Sequence, residues 1–339
     1  MRTYVFNGDA DGICALQQLR LAEPRADLAA SDGPDAASGP GATGEDVLIT
    51  GVKRDIALLA RVQATTADPC TVLDVSLDVN RTALVALLEA GVSVRYFDHH
   101  FAGEVPRHPG LDAHIDPSPD VCTSLLVDRY LDGKCRRWAV VGMFGDSLVD
   151  EGRALAQAAG LDPAAAERLN ELGVAMNYNA YGETIADLHV PPAELAQEIL
   201  AYADPLEFAE QSATARRLRE GFREDMEHAR RLGPSRWVDG GALLYMLPDA
   251  AWARRASGTL ANDLAKAHAG SAVAIVSPKT GGGYLVSLRV PRDCSISAEE
   301  FCRQFPSGGG RRAAAGINHL PSEELETFAA AFERQFKTS

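Results

Sequence analysis

The chain has 339 residues, more than one hydrophobic core ordinarily organises, so two compact domains are expected. Its 46% hydrophobic and 24% charged residues, with no apolar run of the roughly 18 residues a membrane helix needs, exclude a membrane-spanning or disordered chain, and no membrane partner is expected. A formal charge of −14 opposes tight wrapping of long nucleic acid, which needs many Lys and Arg contacts to phosphates, but leaves room for a small anion in a local positive pocket.

Met1–Phe6 lacks the apolar core and small-residue cleavage site of an export signal, so a cytoplasmic location is expected. Thr3–Phe6 reads as a first strand and Gly12–Ala22 as a first helix. Glu23–Glu45, rich in Gly, Pro, Ala, Asp and Ser, has no periodicity and reads as a surface loop. Further strands are predicted at Val47–Thr50, Thr71–Val75 and Val92–Phe97, alternating with helical patterns, which argues for a doubly wound parallel sheet of the α/β class. After Pro191-Pro192 the pattern from Ala193 to about Leu232 is helical and charged, and Gly233-Pro234 stops it. A second, smaller α/β unit follows, with strands near Ala242–Leu247, Ala272–Ser277 and Tyr284–Val290 and helices near Ser257–Ala267 and Ser322–Phe336. The expected domains are 1–192, a helical linker 193–234, and 235–339. The six cysteines form no C-x-x-C pair and read as reduced packing residues.

Ionisable groups stand at successive strand ends. Asp9 and Asp11, in Asn7-Gly-Asp-Ala-Asp-Gly12, follow the first strand and can project to one side. Two adjacent carboxylates repel, so such a pair calls for a cation or for acid-base chemistry, unless it is an ordinary Asp/Gly turn or helix cap. Asp74 ends the apolar run Thr71–Val75, where an unpaired charge is costly to bury. Val94–Phe97 runs into Asp98-His99-His100, adding imidazoles suited to first-row divalent metals. Asp146, after the apolar stretch Trp138–Met143, is a fourth candidate carboxylate or a plain loop residue. In open parallel sheets ligands bind beyond the carboxyl ends of the strands, which is where these segments are expected to meet.

The ordered set Asp9/Asp11, Asp74, Asp98-His99-His100 and Asp146 resembles the motifs of the DHH phosphoesterases, with their RecJ-like and nanoRNase-like members. The C-terminal part is similar to the DHH-associated substrate-binding domain. Its glycine signature G-G-G-H-x-x-A-A-G has a counterpart in Gly308-Gly309-Gly310-Arg311-Arg312-Ala-Ala-Ala-Gly316, and Val286–Arg289 resembles the strand preceding it. The resemblance implies an N-terminal domain that holds metal and a C-terminal domain that grips substrate. It implies two divalent ions, Mn²⁺ or else Mg²⁺ or Co²⁺, bridged by Asp74, with Asp9 on one and Asp11, His99 and Asp146 on the other. Such a pair acidifies a shared water for in-line attack. Asp98 would orient a histidine, and His100 would contact phosphate or protonate the leaving group.

This chain departs from the pattern at three places. Val5 stands where many members have a histidine, Asn7 where another branch has an extra aspartate, and Arg311 where the glycine signature has its histidine.

Gly308, Gly309 and Gly310 with Arg311 and Arg312, beside an alanine-rich helix start, read as a phosphate cradle, with a surface loop as the other reading. Lys53 and Arg54, before Asp55 at an expected helix start, read as phosphate contacts or as solvated charges on a turn. Arg289 joins the substrate-binding candidates through the resemblance. Asn177-Tyr-Asn-Ala-Tyr-Gly182 suits base stacking or a structured helix end. The expected substrate is a short oligonucleotide or a linear dinucleotide such as pGpG. The rivals are a non-catalytic nucleotide or phosphate sensor with a degenerate metal site, a single-strand exonuclease and a pyrophosphatase. A homodimer is compatible with the sequence.

Overall fold

The computed structural model describes residues 1–24, 46–63, 68–238 and 242–336. Apart from Glu23 and Pro24, the segment expected as a surface loop, Glu23–Glu45, lies outside them. The chain divides into two compact units, Met1–Ala180 with His189–Glu220, and Tyr181–Leu188 with Gly221–Ser339.

The first unit is built on five strands, β1 (Thr3–Phe6), β2 (Val47–Ile49), β3 (Cys70–Leu73), β4 (Val94–Asp98) and β5 (Leu111–Ile115). They run parallel in the order β2-β1-β3-β4-β5. Alternation along each strand feeds two cores. Tyr4, Phe6, Leu73 and Phe97 pack with α1 (Ala10–Ala22), α3 (Thr123–Tyr130), α4 (Arg136–Gly145) and α6 (Pro163–Asn179). Val5, Val72, Val94 and Tyr96 pack with Leu84, Leu87 and Leu88 of α2 (Leu77–Glu89). The expected doubly wound parallel sheet is present.

Helix starts follow local chemistry. Asp162 accepts the Ala165 N–H at 2.7 Å with Pro163 in the first turn, and Asp204 accepts the Leu206 N–H at 2.9 Å with Pro205 in the same place. Between α4 and α6 lies α5 (Val149–Ala158), and α7 (Pro192–Glu198), α8 (Pro205–Gln211) and α9 (Ala213–Arg230) fill the stretch read as helical.

Two local expectations change and one open reading is decided. The strand β5 has no counterpart in the predicted elements, because Leu-Asp-Ala-His-Ile is half polar and lies at the sheet edge. No helix starts at Lys53–Asp55. There the Asp55 N–H closes a turn onto the Val52 carbonyl at 2.8 Å, and the Lys53 N–H goes to the Ala180 carbonyl at 2.9 Å, so the bonds a helix would use are spent elsewhere. Tyr178 and Asn179 are buried at the end of α6, where Asn179 exchanges hydrogen bonds with Val190 at 2.7 and 3.1 Å, so this segment is a structured helix end.

The second unit carries a six-stranded mixed sheet of β6 (Arg236–Val238), β7 (Ala242–Met246), β8 (Val273–Pro278), β9 (Tyr284–Arg289), β10 (Gly308–Gly310) and β11 (Ala314–Leu320), in the order β10-β11-β9-β8-β7-β6. Among the described residues of this unit only β7 and β8 pair in parallel. Helices α10 (Ala251–Ala267), α11 (Ala298–Cys302) and α12 (Leu325–Phe336) accompany the sheet. Phe301, Phe305, Phe328, Phe332 and Phe336 form an aromatic core, with Phe301 and Phe328 edge-to-face at 5.9 Å. Truncating one such ring to Ala costs about 3–5 kcal/mol. The alanine-rich helix start expected after Arg312 is instead strand β11, because Ala315 and Ile317 alternate into the core. The glycines before it are a paired edge strand rather than a loop.

Candidate metal centre

In the order β2-β1-β3-β4-β5 the chain leaves β1 to one side and returns past it to β3, so the sheet's switch point lies between β1 and β3. Asp9 and Asp11 follow β1, and Asp74 follows β3. Asp98 closes β4, with His99 and His100 directly after it.

Asp9 is the N-cap of α1. Its Oδ1 accepts the N–H groups of Asp11 and Gly12, both at 3.1 Å, and its Oδ2 receives Lys53 Nζ at 2.5 Å. Asp11 faces the start of α3, accepting the Thr123 and Ser124 N–H groups at 2.7 Å each and the Ser124 hydroxyl. A carboxylate at a helix N-terminus is held by the free N–H groups and the dipole. Helix α4 must approach closely here: a Cβ on Gly142 would lie 2.0 Å from Ser124 Oγ and 3.2 Å from Asp11 Oδ1.

Asp74 has φ 57°, a conformation uncommon for a non-glycine residue, and its Oδ1 accepts the Thr123 hydroxyl at 3.1 Å. His99 Nδ1 lies 3.0 Å from the Val121 carbonyl, while its Nε2 lies 3.4 Å from Asp74 and 3.8 Å from Asp146. Asp146 sits at the C-terminal end of α4, where an anion opposes the helix dipole and a cation relieves the conflict. Asp98 is fully buried. It accepts the Leu77 N–H at the start of α2 at 3.2 Å and binds His100 Nδ1 at 2.7 Å.

The electrostatics show a shortage of positive charge. Burial would raise Asp9, but the adjacent Lys53 ammonium holds it below the usual carboxylate range. Burial, reinforced by Asp9 and Asp11, pushes Asp74 well above that range. Burial and then Asp11 raise Asp146 to about 6. Burial would lower His99, yet its bond to Asp74 and the charges of Asp11, Asp74 and Asp146 raise it to about 10. A site that stores protons on acids and imidazole to balance its charge suits a divalent cation. Among the described residues two groups have ligand atoms within 4.8 Å of one another, Asp74/His99/His100 and Asp11/His99/Asp146. Carboxylate oxygens with imidazole nitrogen, and one imidazole oriented by a backbone carbonyl, form a donor set that fits a first-row divalent ion.

Asp9, Asp11, Asp74, His99, His100 and Asp146 thus share one place in the first unit, and Lys53 joins them at Asp9. Arg54 is exposed on the turn beside it. Arg289, Gly308, Gly309, Gly310, Arg311 and Arg312 belong to the second unit. There Arg289 donates to Asn262 Oδ1 at 2.8 Å, Arg312 to the Cys294 carbonyl at 3.3 Å, and Arg311 is exposed. Sequence reasoning missed Thr123, Ser124 and Val121, which act largely through backbone atoms. The one signal was the pair of small hydroxyl residues before the apolar Leu125–Val127, a helix-start pattern.

The model of the DHHA1 domain matches residues 239–338. The same fold is seen along almost the whole chain in solved structures. Exonuclease RecJ bound to manganese is 20% identical at a TM-score of 0.58, covering 98% of this chain and 89% of that one. The chain shares this fold, and its C-terminal part matches the DHHA1 domain. The DHH domain of a member of a family of ribosomal proteins is 15% identical at a TM-score of 0.65, with 99% and 87% covered. A pGpG-specific phosphodiesterase from Vibrio cholerae is 16% identical at 0.52, with 99% and 98% covered. No curated protein matches the sequence. No described helix of the chain is long and apolar enough to cross a membrane.

Proposed function

We propose that this protein is a metal-dependent phosphoesterase acting on short oligonucleotides or linear dinucleotides of the pGpG type, with Mn²⁺ as its working ion. The carrying observation is His99: its Nδ1 is committed to the Val121 carbonyl, which turns Nε2 into the cluster of Asp11, Asp74 and Asp146. Asp11, Asp74, His99 and Asp146 would hold the ion. When bound, a divalent ion there supplies Lewis acidity toward a phosphoryl oxygen and makes a water acidic near neutral pH. Asp98 fixes His100 through Nδ1, which leaves Nε2 to give a proton to the departing ester oxygen. In the second unit, Arg311 offers an exposed guanidinium for a phosphate.

The relatives by fold support the nucleotide substrate, one being an exonuclease and another a pGpG-specific phosphodiesterase. The charge of −14 argues against long nucleic acid. The test is hydrolysis of pGpG with millimolar Mn²⁺, beside longer single strands, phosphomonoesters and pyrophosphate, repeated with Co²⁺ and Mg²⁺. Turnover of pGpG that Asp74→Asn abolishes supports the reading. Binding of pGpG without turnover would favour the sensor, and faster cleavage of pyrophosphate or of long strands would reassign the substrate.

A further inference from the structure

The Asp9 corner of the centre is already filled by a cation. What sets Asp9 apart from Asp11, whose oxygens meet only N–H and hydroxyl donors, is a charged partner: its Oδ2 receives Lys53 Nζ at 2.5 Å. Lys53 is held at both ends: Nζ also donates to Asn177 Oδ1 at 2.9 Å, and its backbone N–H donates to the Ala180 carbonyl at 2.9 Å. Val5 and Asn7, upstream of Asp9, are both buried, and neither brings a second charged group to it. Both groups of ligand atoms able to hold a metal among the described residues contain His99, and neither contains Asp9.

We infer that the centre takes one divalent ion, on the His99 side, and that the Lys53 ammonium permanently occupies the place of a second cation beside Asp9. The inference rests on the metal-dependent reading above. A second divalent ion would have to bind Asp9 at the roughly 2.0–2.2 Å typical of carboxylate on a small divalent ion, in space the ammonium holds at 2.5 Å from Oδ2.

The experiment is Mn²⁺ titration of the full chain by equilibrium dialysis, with low-temperature electron paramagnetic resonance on the same samples. The wild type should bind one Mn²⁺ per chain and give the spectrum of an isolated ion. Lys53→Met, which removes the ammonium, should bind two and give a spin-coupled spectrum. Lys53→Gln, nearly as long but neutral, repeats the comparison if the methionine variant folds poorly, and the wild-type stoichiometry needs no variant. Two coupled ions in the wild type would overturn the inference and leave the metal-dependent reading intact. One ion in both wild type and variants would remove Lys53 from this role. No bound ion at all would overturn both.

Discussion

His99 Nδ1 lies 3.0 Å from the carbonyl oxygen of Val121, so the proton on Nδ1 is given to the backbone and Nε2 is the atom aimed at Asp74 and Asp146. An imidazole fixed in this way loses little freedom when it ligates. His99→Asn should keep a polar side chain but lose Nε2, and Mn²⁺ affinity should fall by more than the roughly 10–100-fold typical of losing an outer-shell partner. Calorimetric titration checks this, and unchanged affinity would remove His99 from the ligand set.

Asp98 and His100 act as a pair at 2.7 Å, with Asp98 fully buried and His100 half exposed. His100→Gln should lower kcat on pGpG about 10²–10⁴-fold with little change in KM, the range for a proton donor. Asp98→Asn should give a smaller loss, since the imidazole stays but its orientation loosens. Steady-state kinetics with saturating Mn²⁺ separate the two. An equal rise in KM for His100→Gln would mark a substrate contact instead.

Much of this centre is legible in the sequence because an ionisable group at the end of an apolar run has few bland explanations. Asp9, Asp74 and Asp98 all follow such runs, and the parallel sheet brings their strand ends together. The partner of Lys53 is not legible, since Asp9 is 44 positions away and joined by a turn that looks like a helix start. Thr123 and Ser124 contribute N–H groups, which every residue but proline has, so their role shows only once α3 is seen to point at Asp11. The strand β10 is hidden because three glycines carry no side-chain alternation to read.

Those glycines make a prediction in opposite directions. A Cβ on Gly308 would lie 1.8 Å from the Cys302 carbonyl, a backbone atom that cannot step aside, whereas nothing lies within 4 Å of one on Gly309. Gly308→Ala should destabilise the DHHA1 unit by about 1–3 kcal/mol. Gly309→Ala should fold normally and, if the strand's outer edge meets a phosphate, should raise KM alone. Thermal melts and kinetics on the two variants check both statements. Equal melting of the two would show that the packing beside Cys302 is loose.

The second unit also contains an ion pair away from the metal centre, between the buried Asp187 and Arg254. Asp187 Oδ1 accepts from Arg254 Nε at 2.9 Å and Nη2 at 2.7 Å, while Oδ2 accepts the Glu183 and Thr184 N–H groups at 3.0 Å each. Burial by itself would raise the carboxyl, but these bonds outweigh it and hold Asp187 below the usual carboxylate range. Because the folded value lies below the unfolded one, the unfolded chain binds more protons in acid. The stabilisation is therefore complete above the unfolded value of about pH 4 and is lost as pH falls through the folded one. Asp187→Asn removes the charge at every pH, so the variant should be less stable than wild type by about 1–3 kcal/mol near neutrality. The gap should narrow steadily below about pH 4. Denaturant melts from neutral to acid pH measure it. A gap of constant size down to the acid limit would mean that the Arg254 bond does not depend on the carboxylate charge.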